Sequence, residues 1–545
     1  MNKLLFSLCF LILFSHQAVN AQVTGIPLPS FGLQTVPASP LQWPATDVAG
    51  YYYIDPDHPL ATNNVDTADS TDSAGNRFGY PDKPRTTIPS SFEAGAFTML
   101  SGHYSTWPQR IHMEGTQSAP IWFVGDPDDP PVFSGRELIF TGQYAIFDNL
   151  RFRDNANFTL RNKDGYYFRH HAGIRNFDMV GTGAPAGFGS AIGISGKSSS
   201  ERTSDIVISN CSISYYGSYT GPTENDFHGI KPGRNADNIW VLNNSVHHNG
   251  GDSIQIGDAN IPDEDRVSHV YIGENDFYSN FENDVDIKEA DHIILSSNTL
   301  HDSGISIVVH NNSSDVWFIN NKIFNSNQGA DVTSGSNINF VGNVFYNIHH
   351  SGGSSWDATS LYSNGAVTHF RGGVSASMVN NTFHDYDTGI QIASVTSLEL
   401  NNNLFHERAV PDAYDINLGN SSLRSVVELD NSLFYNPALG TAVNWATGFG
   451  QDMSEVVSLG VCGQCIDETV SPLQNASNYR FSLRSTASAI NAGVNSAVYN
   501  RFVSAYSIAL DRDIMGNTRV LGAAIDIGAY EGIGISPPSP PTLLP

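Results

Sequence analysis

Positive charge is scarce in this sequence. Among 545 residues, 27 Lys and Arg face 54 Asp and Glu, a net charge of −27. No basic cluster is longer than a pair, so the chain lacks the surface that duplex nucleic acid or an anionic membrane requires, and neither is expected as a partner. Charge of either sign is thin at 15%, yet 40% of residues are hydrophobic and 11% aromatic, which excludes a disordered chain. Cysteine is almost absent, with four in all. Cys462 and Cys465, in Val-Cys-Gly-Gln-Cys-Ile without other Cys or His nearby, read as a local disulfide rather than a zinc or redox centre. Cys211, among Ile208 and Ile213, reads as a small buried residue.

Long apolar runs are missing beyond the start of the chain. Lys3, the apolar stretch from Leu4 to Phe14, and Val19-Asn20-Ala21 before Gln22 have the order of a signal peptide over residues 1–21. Cys9 lies inside that stretch rather than at the cut, so no lipid anchor is expected. The protein is expected to be exported, to the periplasm or the extracellular space, with attachment to the cell surface left open. No later segment approaches the roughly 20 apolar residues of a spanning helix.

What is abundant is a loose repeat, apolar-x-Asn-x-apolar. It runs through Leu242-Asn243-Asn244-Ser245-Val246, Leu295-Ser296-Ser297-Asn298-Thr299-Leu300 and Ile319-Asn320-Asn321-Lys322-Ile323. Its anchoring Asn residues fall at 244, 275, 298, 321, 343, 381, 403 and 431, with steps of 31, 23, 23, 22, 38, 22 and 28. A base period of 22 to 23 with short β-branched runs and Asn at the corners predicts one coil of a parallel β-helix per repeat, the Asn taking left-handed turn geometry. Leucine-rich repeats share the period, but their leucine spacing and helical stripe are absent. The fold class expected is all-β, a single-stranded right-handed parallel β-helix with an N-terminal cap and a C-terminal β extension.

The divisions expected are an N-terminal strand and cap over residues 22–94, the solenoid over 95–450, C-terminal coils and a cap over 451–534, and a Pro-rich tail over 535–545. The segment Asp511-Arg512-Asp513-Ile514-Met515-Gly516-Asn517-Thr518-Arg519, followed by Asp526-Ile527-Gly528-Ala529-Tyr530-Glu531, resembles the terminal signature of choice-of-anchor domains.

Polar residues placed in strand-like runs mark where chemistry would sit. Consecutive coils carry Asp226-Phe227-His228-Gly229-Ile230-Lys231-Pro232-Gly233-Arg234, then Gly251-Asp252-Ser253-Ile254-Gln255-Ile256, then Asn283-Asp284-Val285-Asp286-Ile287-Lys288, then Ile305-Ser306-Ile307-Val308-Val309-His310. Alternation with Ile254, Ile256, Val285, Ile287, Ile305 and Ile307 inward puts Gln255, Asp286 and Ser306 on the outer face. Carboxylates gathered on one face repel unless a cation neutralises them, so Asp252, Asp284 and Asp286 are candidate ligands. Oxygen-only donors favour Ca²⁺. Such an ion would bridge a −27 protein to a polyuronate and acidify the C5 proton of the sugar, with Lys288 as the neutral amine that removes it. The bland alternatives are solvated turn carboxylates and a surface lysine paired with Glu289 or Asp286.

The stretch Val285-Asp286-Ile287-Lys288-Glu289-Ala290, followed by His292-Ile293-Ile294-Leu295-Ser296-Ser297-Asn298-Thr299-Leu300, is similar to the lysine-bearing coil of polysaccharide lyase family six, the alginate lyases and chondroitinase B. The resemblance implies Lys288 as Brønsted base. The coil with Asn249-Gly250-Gly251-Asp252 resembles the calcium coil of the family-nine pectate lyases. Family six carries Arg-His-Gly in the next coil as the acid. Here that coil has no Arg, so His310, or Arg234 or Arg371 from a neighbouring coil, stands in its place. His228, Lys231, His369 and Arg371 suit acidic sugar groups, and Trp356, in the insertion from Ser351 to Gly365, suits stacking on a sugar ring.

The function expected is an exported, Ca²⁺-assisted lyase acting on an acidic polysaccharide such as alginate or pectate, as a monomer. The alternatives are a C5-epimerase, a glycoside hydrolase using the carboxylates, and a non-catalytic glycan-binding surface β-helix.

Overall fold

The structure is a computed structural model that describes residues 23–37, 51–64, 71–185, 187–220, 226–350, 365–446 and 450–532. Residues 1–21, read above as a signal peptide, Trp356 and the tail over 535–545 lie outside the described residues.

Short β-branched and aromatic runs, each broken by an Asx or Gly corner, stack on their counterparts one coil away and form three parallel ladders. The third sheet has 14 strands. The first and second share the long strand Glu137–Asp148, whose first half pairs with Asn157–Leu160 and whose second half pairs with Phe168–Arg175. The six strands of the first sheet that matter below are β1 (Phe227–Pro232), β2 (Ile254–Ile256), β3 (Asn283–Lys288), β4 (Ile305–His310), β5 (Gln328–Val332) and β6 (Ala366–Phe370). The architecture is a right-handed parallel β-helix, as the repeat predicts. Strand Tyr51–Ile54 is already a rung of the second sheet, paired with Phe97–Leu100.

Alternation turns Ile254, Ile256, Val285, Ile287, Ile307 and Val309 into the common core, where each is fully buried. Inward rings of the third sheet stack as a column, Phe345 on Phe383, Phe405 and Phe434, with centroids 5.4, 4.7 and 4.9 Å apart. Neighbouring coils of a solenoid meet only each other, so this column is where their register is held.

The asparagine repeat is a hydrogen-bonded ladder. Asn321 accepts at Oδ1 from the backbone and side-chain N–H groups of Asn298, each at 2.9 Å. It donates from Nδ2 to Leu295 O and Asn343 Oδ1 at 3.0 Å. Two details differ from the expectation. The left-handed backbone belongs to the residue before each ladder position (Asn243, Glu274, Ser297, Asn320, Gly342, Asn380, Asn402), because the ladder side chain must point inward to reach its partners. And the last rung is Ser432, which takes the Asn403 N–H, while Asn431 is the left-handed residue ahead of it. Asn321→Ala leaves several buried groups without partners and is expected to cost about 2 to 3 kcal/mol, read as a lower denaturation midpoint in urea at unchanged m-value.

Helix α1 (Met453–Ser458) buries Met453 and Val456 in the main core at its C-terminal end, and Cys462 and Cys465 beside it form the expected disulfide. Cys211 is buried, and its N–H is held by Asn244, so it occupies a ladder position. Helix α2 (Ala497–Tyr506) places Val498 and Phe502 on the outer face of the second sheet, where Phe502 meets Trp317 edge-on at 4.9 Å. Leu473, Phe481, Ile527 and Ala529 cover Val344, Leu404 and Leu433 of the third. Neither covering cluster includes a residue of the first sheet, whose outer face is the polar one. No helix among the described residues is long and apolar enough to cross a membrane.

Candidate functional site

The register of the first sheet sets the outward row. Gln255 pairs with Asp286, Asp286 with Val308, Val308 with Asp331, Asp331 with His369 and His369 with Gln391. Two residues further along β3 and β4, Lys288 pairs with His310. Ser306, expected on the outward row with Asp286, is fully buried and turned into the coil instead. The bulge-free pairing of Asn283 with Ile305 sets it beside Asp284, and its hydroxyl lies 2.7 Å from Ser326.

Asp286 is the hub. Its Oδ2 lies 2.7 Å from Lys288 Nζ, and its Oδ1 2.8 Å from His310 Nε2. Burial alone would lift the Asp286 carboxyl, but the hydrogen bond from His310 and the charges of His310 and Lys288 hold it below the usual range. Burial alone would favour the neutral amine of Lys288. The Asp286 carboxylate overrides that, with Asp252 and Glu282 adding to it, and raises Lys288 above its ordinary value. That holds Lys288 towards the ammonium, whereas the expected base would need its neutral amine. Gln255 Oε1 stands 3.5 Å from the same Nζ.

The three candidate Ca²⁺ ligands are held apart. Both Asp286 oxygens are engaged as above. Asp252 Oδ1 accepts from Asn283 Nδ2 at 2.8 Å, while Oδ2 faces His228 Nδ1 at 3.0 Å. Burial pushes the Asp284 carboxyl well above the usual range, and inside the coil Ser303 donates to its Oδ1 at 2.6 Å while Oδ2 is buried without a hydrogen bond. These three carboxylates do not gather their oxygens around one point among the described residues, which does not fit a shared Ca²⁺. A different group, Asp226, His228 and Glu282, does gather its donor atoms within 4.8 Å. There His228 Nε2 already meets Asp226 Oδ1 at 2.9 Å. Burial opposes the charged ring, but Asp226 and Asp252 outweigh it and raise the His228 pKa, so a cation would have to displace a proton.

The remaining candidates divide by place. Lys231 pairs with Asp258 at 3.1 Å. Arg234 turns to Asp265 at 3.8 Å and is not brought to Lys288. Arg371 clamps Asp331, with Nε 3.1 Å from Oδ1, and His369 Nδ1 stands 3.8 Å from the same oxygen. Burial lowers the His369 pKa, so its ring is neutral beside the pair. Of the three residues considered for the acid, His310 alone is brought to Lys288. Residues not singled out from the sequence complete the row. Asp331 is one, and the other is an amide ladder in which Asn417 Nδ2 donates to Gln391 at 2.7 Å and Asn444 Nδ2 to Asn417 at 2.8 Å.

His349, at the edge of the insertion, meets Asp387 at 2.9 Å and Asp385 at 3.3 Å, which raise its pKa to about 9. A raised folded-state value contributes stability fully below the ordinary value near 6.5 and loses it as pH rises through about 9. His349→Gln is therefore expected to lower the melting temperature at pH 6 and to leave it unchanged at pH 10, read by calorimetry.

The family model for a right handed beta helix region matches residues 228–371, the coils that carry this row. The chain contains a right-handed β-helix. None of the curated proteins matches the sequence. Among solved structures, the A-module of the mannuronan C-5 epimerase AlgE6 of Azotobacter vinelandii is 13% identical, with 56% of this chain and 90% of that chain covered and a TM-score of 0.38. Pectate lyase Pel9A is 13% identical, with 89% and 96% covered and a TM-score of 0.33. The PL6 family alginate lyase AlyGC is 13% identical, with 64% and 46% covered and a TM-score of 0.38. The likeness is one of fold.

Proposed function

We propose that the chain is a polysaccharide lyase that cleaves a uronate-containing polysaccharide by β-elimination on the outer face of the first sheet, with Lys288, Asp286 and His310 as its machinery. The observation that carries this reading is the division of one buried carboxylate, Asp286, between an ammonium and an imidazole set side by side in register. The C5 proton of a uronate is acidic only when the neighbouring carboxylate is neutralised. Lys288, kept cationic, supplies that charge in place of the metal expected from the sequence. His310 donates from Nε2 to Asp286, which leaves Nδ1 to accept the C5 proton. The C5–H electron pair becomes the C4–C5 double bond, the C4–O4 bond breaks, and the imidazolium returns its proton to O4. Gln255, Lys231, His369 and Arg371 line the same face along the direction of an extended glycan, with one rung every 4.7 to 4.9 Å or so.

Elimination is preferred to epimerisation because Lys288 and His310 stand on one side of the sheet, whereas inversion at C5 needs a proton acceptor on one face of the sugar and a proton donor on the other. A hydrolase would use Asp286 and Asp331, two rungs or roughly 10 Å apart. Asp286 is held below the usual carboxylate range and both Asp331 oxygens are taken by Arg371, so neither is placed to hand a proton to a leaving oxygen. The test is a carboxyl-reduced polymer beside its parent. Turnover of the parent alone supports the reading, and equal turnover of both overturns it.

A further inference from the structure

The outward side chains of the third sheet form a column of rings in register, His247, Tyr278, His301, Phe324, Tyr346, His384, His406 and Tyr435. Along most of it the rings stack face to face. Interplanar angles are 17° for His247 on Tyr278, 5° for Tyr278 on His301, 4° for His301 on Phe324 and 10° for Phe324 on Tyr346. Between His384 and His406 the pattern breaks. Their planes stand at 62°, and the two Nδ1 atoms face each other at 3.0 Å. Only one hydrogen fits between them, so at least one lone pair is directed into the gap.

Glu407 meets that gap. Its backbone is left-handed, φ 57°, which breaks strand alternation and brings its carboxylate to the side of its neighbour His406. The coils before it place Asn347 and Asp385 in the same conformation, residues that tolerate it, whereas a glutamate adopts it at a cost. Glu407 Oε2 lies 3.8 Å from His384 Nδ1 and 3.5 Å from His406 Nδ1. A circle through three atoms so separated has a radius of about 2.0 Å, the length of a Zn–N or Zn–O bond. On the far side of its ring, His406 Nε2 is fixed by Ser471 at 2.8 Å, the outer hydrogen bond that orients a metal-bound imidazole.

We infer that His384, His406 and Glu407 form a binding site for a divalent transition metal of the zinc class, with two nitrogens and one carboxylate as ligands and water completing a tetrahedron on the exposed Glu407 side. The imidazole ligands and the short donor spacing disfavour Ca²⁺ or Mg²⁺ there. The site is separate from Lys288, since it lies on another sheet. The C-terminal segment touches it through Ser471 and through Phe481, whose ring is 5.3 Å from that of His384, so an ion here ties that segment to the coils.

The test is calorimetric titration of the chelator-stripped full chain with Zn²⁺, with Co²⁺ absorption as a geometric readout. One ion per chain, a tetrahedral Co²⁺ spectrum and a higher melting temperature with zinc are expected. Both imidazoles are buried, so a histidine variant that fails to fold would be silent; the exposed Glu407→Gln is the deciding variant. It is expected to melt like the wild type without metal and to bind Zn²⁺ about tenfold or more weakly. No saturable binding, undiminished binding in Glu407→Gln, or binding lost in Glu282→Gln instead would each overturn the inference.

Discussion

Lys288→Ala is expected to lower kcat on the uronate polymer by about 10³-fold, roughly 4 kcal/mol, with little change in KM. The reason is charge. In the wild type Lys288 is an ammonium held by Asp286, and what it contributes is a cation where negative charge develops on the uronate. Lys288→Arg separates this role from that of a base. Arginine keeps the charge and cannot give up its proton at any working pH, so it restores about a tenth of the wild-type rate if Lys288 is the electrostatic partner. It is as inactive as alanine if Lys288 removes the proton. His310→Ala is then expected to lower kcat by a similar factor, since His310 carries the proton in this mechanism. An alanine and arginine pair of equal inactivity would return the base role to Lys288.

Arg408→Ala is expected to be the most destabilising single change, by about 3 to 5 kcal/mol. Arg408 Nη1 meets Asp415 Oδ2 at 3.0 Å with both side chains almost wholly buried, and Tyr386 OH and Ala442 N donate to the same carboxylate at 2.8 Å. Burial already raises the Asp415 pKa in spite of Arg408. Without the guanidinium the carboxyl must fold protonated. A raised folded-state value means stability that is lost as pH rises, so the defect deepens from pH 5 to pH 8. Addition of Asp415→Asn to Arg408→Ala removes that pH dependence. Thermal melts of the two variants across pH are the measurement, and parallel, pH-independent losses would contradict the account.

The fold was legible because the ladder repeats in sequence. Each Asn of the series is a turn that must hydrogen-bond its counterpart one coil away, so a spacing near 22 residues carries the coil length directly. The failure at Asn431 came from a hydroxyl doing the same work at Ser432, which no Asn pattern marks. The site was legible in part. Alternation placed Asp286 and Lys288 outward, and Lys288, His310 and Asp286 do meet. Ser306 was misplaced because its coil is one residue longer between outward row and ladder. Val308 stands thirteen residues ahead of Asn321, where Asp286 stands twelve ahead of Asn298. The same count of twelve leads from Asn343 to Asp331, from Asn381 to His369 and from Asn403 to Gln391, a signal that would have found Asp331.

The three carboxylates expected to share Ca²⁺ do not converge, for a reason no spacing records. Carboxylates close in sequence turn to different partners, Asp252 Oδ1 to Asn283, Asp284 Oδ1 to Ser303, and Asp286 to Lys288 and His310, while Oδ2 of Asp252 and of Asp284 is buried without a hydrogen bond. Sequence shows that acids are near one another. Only the coil geometry shows which partner each of them faces.

An elimination by the Lys288, Asp286 and His310 group leaves a C4–C5 double bond in its product. Ultraviolet absorbance of the unsaturated product reads it directly, with purified protein on alginate, pectate, glycosaminoglycan and ulvan beside Lys288→Ala. The account predicts a rise on one of these acidic polymers that disappears in the variant. New reducing ends without absorbance, or glycan retained without any product, would contradict it.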